Sequence, residues 1–181
     1  MRIIGGKYKS RKLATLEGLA TRPTLDGTKE AIFNSLGNYI PDFVVLDVFG
    51  GSGALSLESI SRGAKIAYVI DKSPDAVKII KKNVESLKVE NQVVVLLGAY
   101  EDILKRFKNM KFDLVFLDPP FRMKVIDELI TYLITNDMIS DGGYIMAEYP
   151  KEDIVQKEYL GYRVKLCRKY SSSEVLILEK E

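Results

Sequence analysis

Histidine is absent from the 181-residue sequence, and cysteine occurs only once, at Cys167. Without histidine the chain can hold no Ser-His-Asp triad, no imidazole general base and no histidine-ligated metal. One cysteine cannot form an internal disulfide, and without histidine it cannot complete a structural zinc site. We therefore predict no metal site and exclude the enzyme classes that depend on these groups.

Long hydrophobic runs are also absent, since none reaches the roughly 18 residues that a membrane-spanning helix needs. Residues 1–7 contain no apolar stretch of the kind that a secretory signal requires. The composition, 46% hydrophobic and 29% charged, is typical of a globular protein. We therefore expect a cytoplasmic protein without a membrane partner, and we expect a monomer.

Basic residues are concentrated near the start of the chain, where residues 1–22 hold six of them against the single acid Glu17. The rest of the chain holds 21 basic and 24 acidic side chains. A basic arm on a mildly acidic body favours a polyanionic partner, although a solvated surface hairpin explains the charge equally well. The candidate contacts to such a partner are Arg2, Lys7, Lys9, Arg11, Lys12 and Arg22.

The first 40 residues are predicted to form a small extension. Short strands are expected at Ile3-Ile4 and over residues 7–13, which glycines separate into a hairpin. An extended connector is expected over residues 21–24, because the proline within it disfavours helix at the residue before. Asp26 is expected to cap a helix that runs to about Leu36. The predicted organisation is therefore an extension over residues 1–40 and a domain over residues 41–181.

From residue 43 the sequence alternates between strand and helix patterns. Apolar runs predict strands, and apolar positions at helical spacing predict the helices between them. The predicted strands cover residues 43–49, 67–70, 93–97, 112–117, 144–149, 162–167 and 174–178. The predicted helices cover residues 52–62, 74–87, 100–107 and 125–134. This order predicts an α/β fold, namely a Rossmann-like, doubly wound and mostly parallel seven-stranded sheet with its ligand site at the carboxyl ends of the strands.

A glycine loop follows the first of these strands, over the sequence Asp47-Val48-Phe49-Gly50-Gly51-Ser52-Gly53. Its glycines let the backbone approach a ligand closely, although a tight turn alone would also explain them. The Gly-x-Gly-x-x-Gly fingerprint of dinucleotide sites fails, because its third glycine would fall at Ser56. An acid at the strand end would repel a pyrophosphate and suits an ammonium group. The loop therefore favours a ligand with an amino acid moiety over NAD.

Asp71 ends the second strand, 24 positions after Asp47. An acid at this place in a doubly wound sheet can accept hydrogen bonds from both hydroxyls of a ribose. Taken alone, Asp71 is better explained as an ordinary capping or solvated aspartate. Together with the glycine loop, its spacing favours a nucleoside ligand.

The segment Asp118-Pro119-Pro120-Phe121 ends the fourth strand. The two prolines remove two backbone donors and fix two φ angles, so the acid and the adjacent carbonyls form a rigid set of acceptors. Such a set can hold a planar exocyclic amine by its hydrogens and aim its lone pair at an electrophile, while the aromatic ring stacks on the base. A rigid turn after a strand is the plainer alternative.

The glycine loop, the segment after the fourth strand and several segments near the start of the chain carry a family resemblance. The segments from Asp47 to Leu55 and from Asp118 to Phe121 resemble motifs of S-adenosylmethionine-dependent methyltransferases. Four segments near the start of the chain narrow this resemblance. They are Met1-Arg2-Ile3-Ile4-Gly5-Gly6-Lys7-Tyr8-Lys9, Arg22-Pro23-Thr24-x-Asp26, Lys29-Glu30-Ala31 and Phe33-Asn34. With these, essentially the whole chain resembles the RsmD-type enzymes, class I methyltransferases that modify guanine N2 in 16S ribosomal RNA.

The resemblance implies S-adenosylmethionine as cofactor and small-subunit ribosomal RNA, in an assembling or assembled subunit, as substrate. It implies that Asp118 and Pro119 hold the target amine, within a catalytic motif that includes Pro120 and Phe121. The basic arm would then contact phosphates near a flipped base. The implied cofactor contacts are Asp47, Phe49, Gly50, Gly51, Ser52, Gly53, Asp71, Lys72, Ala99 and Tyr100.

Two positions depart from the family pattern. Ala99 stands where an acid usually reads the adenine amine, so Glu101, Asp102 or the backbone would have to read it here. Gly27 stands where a basic residue is usual after Asp26, which weakens the expected contact with cofactor or RNA. Neither departure touches the methyl-transfer motif.

Three other functions fit parts of the sequence. An adenine-N6 methyltransferase acting on DNA shares the Asp-Pro-Pro-Phe motif, but 181 residues leave little room for site recognition. A non-catalytic nucleic-acid-binding module would not need that motif. An NAD oxidoreductase is disfavoured by the glycine spacing.

Overall fold

A seven-stranded sheet with helices on both faces organises the chain, as a computed structural model describes it for residues 1–16, 23–38, 40–120 and 123–181. In chain order the strands are β1 Val44–Asp47, β2 Ile66–Asp71, β3 Val93–Leu97, β4 Phe112–Leu117, β5 Ile139–Pro150, β6 Tyr162–Lys169 and β7 Ser173–Lys180. The helices are α1 Pro23–Ser35, α2 Ala54–Ser61, α3 Pro74–Leu87, α4 Tyr100–Arg106 and α5 Ile126–Thr135.

The strand order across the sheet is β3-β2-β1-β4-β5-β7-β6. The first five strands run parallel, and β7 pairs antiparallel with both β5 and β6. The order reverses direction between β1 and β4, which is where doubly wound sheets bind their ligands. The predicted fold class, a mostly parallel seven-stranded sheet of the Rossmann type, is confirmed.

Burial on both faces explains why the central strands are continuous apolar runs. In β4, Leu114 and Phe116 face one hydrophobic cluster with the helices α1, α2 and α3, while Val115 and Leu117 face the other with α4 and α5. All four side chains are fully buried. The central strands therefore have no solvent face, and their carboxyl ends are the places where polar side chains can appear.

Helix α3 forms as its sequence predicts. The hydroxyl of Ser73 accepts a hydrogen bond from the backbone N–H of Ala76 at 3.3 Å, and proline occupies the first helical position. The predicted apolar stripe is buried, and all of it except Val77 lies in the hydrophobic cluster that includes residues of the sheet. Its members are Val77, Ile80, Val84 and Leu87.

The predicted hairpin strands are wrong in part. One antiparallel bridge joins Arg2 to Lys12, and the N–H of Ile3 donates to the carbonyl of Arg11 at 3.0 Å. The residues between them form turns, with Ser10 at a φ of 70°. Because the N–H of Lys7 donates to the Ser61 carbonyl at 2.7 Å, contact with α2 replaces strand pairing here.

Helix α1 begins at Pro23, three residues before the predicted cap at Asp26. Proline is favoured at the first helical position, so it starts this helix where we expected it to extend the connector. Asp26 lies in the first turn, where a negative charge is favourable, and accepts a hydrogen bond from Arg2 at 3.0 Å. Residues 21 and 22 of the predicted connector lie outside the described residues.

Strand β5 is longer than predicted, because it begins at Ile139, five residues before the predicted start at residue 144, and includes two glycines. The parallel register with β4 shifts between the pairs Phe112–Ile139 and Leu114–Tyr144. An irregularity in the ladder therefore accommodates the two glycines without ending the strand. The bounds of the other elements from β1 onward differ from the predicted ones by two residues or fewer.

The amino-terminal residues pack on the same face of the sheet as α2 and α3. Ile3, Leu13, Ile32 and Phe33 are buried in one cluster with residues of the sheet. The division into an extension and a domain at residue 40 stays a prediction. Among the helices of the described ranges, none combines the length and apolar character that crossing a bilayer requires.

Candidate active site

Three acids predicted to bind ligands meet at the carboxyl edge of the sheet. Asp47 ends β1, Asp71 ends β2, and Asp118 directly follows β4. Since β1 lies between β2 and β4 in the sheet, the carboxyl ends of these three strands are neighbours. The topology thus brings together residues that lie up to 71 positions apart in the sequence.

The glycine loop packs tightly against β2. The N–H of Gly50 donates to the carbonyl of Ile70 at 2.8 Å, and a Cβ on Gly50 would lie 2.5 Å from Val69. Gly51 has a φ of 58°, and the space beside its Cα is open. Gly50 is therefore required by packing, whereas Gly51 is required by its backbone conformation and leaves room on the ligand side.

Asp71 connects the glycine loop to helix α3. Its Oδ2 accepts a hydrogen bond from the N–H of Gly51 at 2.9 Å, and its Oδ1 accepts one from the N–H of Ser73 at 2.8 Å. The half-buried carboxylate thus fixes the loop, a role that the spacing argument did not foresee. Each oxygen keeps a further lone pair with which it can accept a ligand hydroxyl.

Asp47 is buried behind the loop, with a relative exposure of 1%. The hydroxyl of Ser56 donates to its Oδ2 at 2.8 Å, and among the described residues no group forms a hydrogen bond to Oδ1. Burial raises the pKa of Asp47 to about 6, a shift that the Ser56 hydrogen bond opposes. The site therefore contains one buried acceptor that a cationic ligand group could satisfy.

The end of β3 supplies an apolar surface beside the loop. Leu97 is 56% exposed although it ends a core strand, and Ala99 and Lys72 are also exposed. The rings of Phe49 and Tyr100 make an edge contact with centroids 5.3 Å apart. Planar and apolar groups thus line the side of the site away from Asp118. The acids Glu101 and Asp102 lie in the exposed first turn of α4, and Ala99 precedes this helix.

Asp118 is half-buried, and buried Pro119 follows it. Desolvation by burial raises the pKa of Asp118 well above its usual range, and the nearby carboxylates of Glu148 and Asp47 raise it further. The carbonyl of Pro120 accepts a hydrogen bond from the N–H of Met123 at 2.8 Å. The predicted stacking residue, Phe121, lies outside the described residues.

Glu148 is a site residue that the sequence reasoning missed. It lies on β5, which pairs in parallel with β4, and it accepts a hydrogen bond from the hydroxyl of Ser173 at 2.8 Å. The available signal was an acid near the end of a predicted apolar core strand, the same signal that identified Asp47. The carboxyl edge therefore carries four acids.

The basic residues of the arm are exposed where the structure describes them. Arg2 is paired with Asp26 at 3.0 Å, and Arg11 donates to the carbonyl of Ser86 at 2.9 Å. Lys7 lies 5.3 Å from the ring centre of Tyr8. Arg22 lies outside the described residues, and the exposed members are Arg2, Lys7, Lys9, Arg11 and Lys12.

A buried ionic cluster holds this arm against α2. Glu58 is fully buried and accepts hydrogen bonds from the backbone N–H groups of Ile4 and Gly5 at 3.0 and 2.9 Å. It also pairs with Arg62 at 2.9 Å and with Lys29 at 3.4 Å. The i, i+4 spacing of Glu58 and Arg62 is a local signal of this cluster. The contacts of Glu58 with Lys29 and with the arm join segments that are distant in the sequence. In the described part of the chain, no group of three or more acids or cysteines is arranged to hold a metal ion.

The fold and the carboxyl-edge site together indicate the class of protein to which this chain belongs. A solved structure from Escherichia coli, named Putative methyltransferase yhhF, is 32% identical to this chain and superposes with a TM-score of 0.88. The match covers 100% of this chain and 98% of that one. With its sheet order, glycine loop and carboxyl-edge acids, the chain is a Rossmann-like methyltransferase.

Sequence comparison supplies the family. The chain belongs to the family described as Conserved hypothetical protein 95, whose family model matches residues 1–179. A relative from Haemophilus influenzae, named Ribosomal RNA small subunit methyltransferase D, is 37% identical over 154 residues, which are 84% of this chain and 80% of that protein. The protein of the same name from Escherichia coli strain K12 is 37% identical over 153 residues, with coverages of 84% and 76%. The resemblance to RsmD-type enzymes is confirmed.

Proposed function

We propose that this protein transfers a methyl group from S-adenosylmethionine to the exocyclic N2 amine of a guanine in small-subunit ribosomal RNA. The observation that carries the proposal is the position of Asp118 and Pro119, rigid acceptors that lie beside the glycine loop at the carboxyl edge. Relatives named for methylation of small-subunit ribosomal RNA support the substrate class. An adenine-N6 substrate uses the same motif and remains the alternative to be tested.

The residues at the loop fit S-adenosylmethionine, which supplies an electrophilic methyl group on a sulfonium. Asp47 offers a buried acceptor for a cationic group, and open space adjoins Gly51 where the methionine part would lie. Asp71 retains acceptor capacity for the ribose hydroxyls, and Leu97 gives the adenine an apolar surface. The contacts we propose are Asp47, Phe49, Gly50, Gly51, Ser52, Gly53, Asp71, Lys72, Ala99 and Tyr100.

The chemistry required of the protein is to orient a weak nucleophile. The lone pair of an exocyclic amine is delocalised into the base, so the amine attacks only when its hydrogens are held and its lone pair is aimed. The Asp118 carboxylate and the Pro119 carbonyl can accept those two hydrogens. Asp118 would also stabilise the positive charge that develops on nitrogen as the methyl group arrives. Phe121 would stack on the base, a role that stays a prediction.

Cofactor choice is tested directly by thermal stability. We expect S-adenosylhomocysteine to raise the melting temperature, because a ligand that binds only the folded state stabilises it. NAD should leave the melting temperature unchanged, because the loop lacks the dinucleotide fingerprint and places an acid at the strand end. A shift with NAD and none with S-adenosylhomocysteine would contradict the cofactor assignment.

Replacing Asp71 by alanine should weaken S-adenosylhomocysteine binding by about 10- to 100-fold, because it removes a charged acceptor and frees the N–H of Gly51. Isothermal calorimetry measures the effect. Asp75→Ala is the matched control, since Asp75 is an exposed acid four residues away in the first turn of α3. Equal affinities for Asp71→Ala and the control would place the ribose contact elsewhere.

The basic arm should supply phosphate contacts that offset the cost of extruding the target base. Changing Lys7, Lys9 and Lys12 together to alanine should reduce the salt slope of RNA binding by roughly three and leave cofactor affinity unchanged. These lysines are chosen because Arg2 and Arg11 already make contacts within the protein.

The matched control for the arm removes the same number of charges from exposed lysines outside the arm. Lys65, Lys105 and Lys108 are exposed, and they lie before β2 and around the end of α4. Their combined change to alanine should leave the salt slope near the wild-type value. Identical slopes for both triple variants would mean that the arm is only a solvated surface.

The substrate class is tested by offering labelled S-adenosylmethionine with three nucleic acids. We expect label in small-subunit ribosomal RNA from undermethylated particles, and none in large-subunit RNA or duplex DNA. Comparison of free RNA with the assembled small subunit then identifies the preferred form. Transfer to DNA alone would favour the adenine-N6 alternative, and transfer to none of the three would overturn the proposal.

A further inference from the structure

Two carboxylates lie side by side at the end of β4 and β5. The parallel register places Leu117 opposite Ala147, and the next residues along each strand are Asp118 and Glu148. Both side chains are half-buried at the carboxyl edge. The carboxylate of Glu148 is close enough to raise the pKa of Asp118, second only to burial.

Glu148 is held in place from the far side. The hydroxyl of Ser173 donates to its Oε1 at 2.8 Å, and Ser173 is itself only 5% exposed. Ser173 lies at the start of β7, where it pairs with Pro150 at the end of β5. Glu148 is therefore fixed by a buried donor on a regular pair of strands, and its carboxylate has a defined position beside Asp118.

Adjacent carboxylates are unfavourable in a partly buried place, because each disfavours the ionised form of the other. Such arrangements concentrate at functional sites, where a ligand supplies the compensating donors. A ligand that presents donors to both acids would offset this repulsion, in addition to the Ser173 hydroxyl that already bonds Glu148. One exocyclic amine beside Asp118 accounts for only the first of these acids.

The Watson–Crick edge of guanine carries two adjacent donors, the N2 amine and the ring N1–H, whereas the N1 of adenine is an acceptor. Enzymes that act on an extruded base read this edge by hydrogen bonds. We infer that Glu148 accepts the N1–H of the target guanine while Asp118 accepts from its N2 amine. This inference rests on the proposed function and makes Glu148 the residue that selects guanine over adenine.

The test uses 2-aminopurine, which keeps the N2 amine of guanine but has an acceptor at N1. Small-subunit RNA carrying either base at the methylated position is assembled into particles and offered to each variant with labelled S-adenosylmethionine. We expect wild-type protein to prefer guanine by about 100-fold or more, because a site built to accept a hydrogen bond rejects an analogue without the donor. Glu148→Gln should lower that preference at least about tenfold, since its amide can donate to N1.

Two further variants separate base reading from structural damage. Ser173→Ala keeps the charge of Glu148 but removes the donor that orients it, so the preference for guanine should fall to an intermediate value. Glu152→Gln is the matched control, because Glu152 is an exposed glutamate four residues after Glu148. Its preference for guanine over 2-aminopurine should equal that of wild type. The melting temperature of Glu148→Gln should equal or exceed that of wild type, because the change removes a charge beside Asp118. Its S-adenosylhomocysteine affinity should match that of wild type.

The outcomes distinguish this inference from the proposed function. If wild-type protein methylates 2-aminopurine as fast as guanine, or if Glu148→Gln slows both bases by the same factor, then Glu148 does not read N1. The proposed function would survive either result. If wild-type protein methylates neither base in any particle, the proposed function fails, and the inference fails with it.

Discussion

Replacing Asp118 by alanine is expected to lower the rate of methyl transfer by about 10²- to 10³-fold, the usual cost of losing one preorganised polar group that stabilises developing charge. Cofactor affinity should stay within twofold of wild type, roughly the error of such a comparison, because the proposed role of Asp118 lies with the target amine. Single-turnover measurements with labelled S-adenosylmethionine and undermethylated particles give the rate.

The stability of Asp118→Ala should not fall. Asp118 is half-buried near the carboxylates of Asp47 and Glu148, so its charge opposes folding and its removal relieves repulsion. A large rate loss with an unchanged or higher melting temperature is the signature of a functional residue that costs stability. The matched control is Asp75→Ala, because Asp75 is exposed. Asp113→Ala is unsuitable, because the carboxylate of Asp113 accepts a hydrogen bond from the backbone N–H of Val44. A rate within tenfold of wild type would remove Asp118 from the chemistry.

Replacing Glu58 by alanine should destabilise the protein by about 3–5 kcal/mol, the range for breaking a buried ionic pair. The change leaves Lys29 and Arg62, both with side chains 5% exposed, without their shared carboxylate. It also removes the acceptor for two backbone N–H groups of the arm. Urea unfolding followed by circular dichroism measures the loss.

Glu85→Ala is the matched control for Glu58→Ala, because Glu85 is an exposed glutamate on the adjacent helix α3. Its free energy of unfolding should differ from wild type by less than about 0.5 kcal/mol. Amide hydrogen exchange should show that Glu58→Ala loses protection first at Ile4 and Gly5, since their N–H groups lose their partner. A loss below about 1 kcal/mol would mean that the arm is held by apolar contacts alone.

The sheet could be predicted because its signals are local. Runs such as β4, apolar at every position but one, can only be buried on both faces, and the glycine loop and the prolines after Asp118 mark where strands end. Parallel order then brings every such end to one edge without knowledge of any contact. The three acids assigned from the sequence therefore lie together because topology alone dictates it.

The remaining parts of the site depend on contacts between distant segments. Glu148 lies beside Asp118 only because β5 pairs with β4 in one register, and that register contains a shift that periodicity cannot reveal. Glu58 binds N–H groups more than 50 positions away in the sequence. Its helix positions are otherwise ordinary, so nothing local distinguishes this buried acid from a solvated one.

The wrong predictions have the same origin. The residues from Lys7 to Ser10 alternate in a way that resembles a strand, but contact with the Ser61 carbonyl folds them into turns. Pro23 disfavours helix at the residue before it and so predicts an extended connector, although proline is also favoured at the first position of a helix. In both cases the local pattern allowed two structures, and tertiary contacts or position decided between them.

The central claim, methylation of guanine N2, is tested most directly by the chemical identity of the product. Undermethylated small subunits are incubated with the protein and labelled S-adenosylmethionine, and the RNA is digested to nucleosides and analysed by mass spectrometry. We expect the label to be recovered as N2-methylguanosine from one position, and we expect Asp118→Ala to abolish most of it. Recovery of the label as N6-methyladenosine would contradict the account, and with it the base-reading role of Glu148.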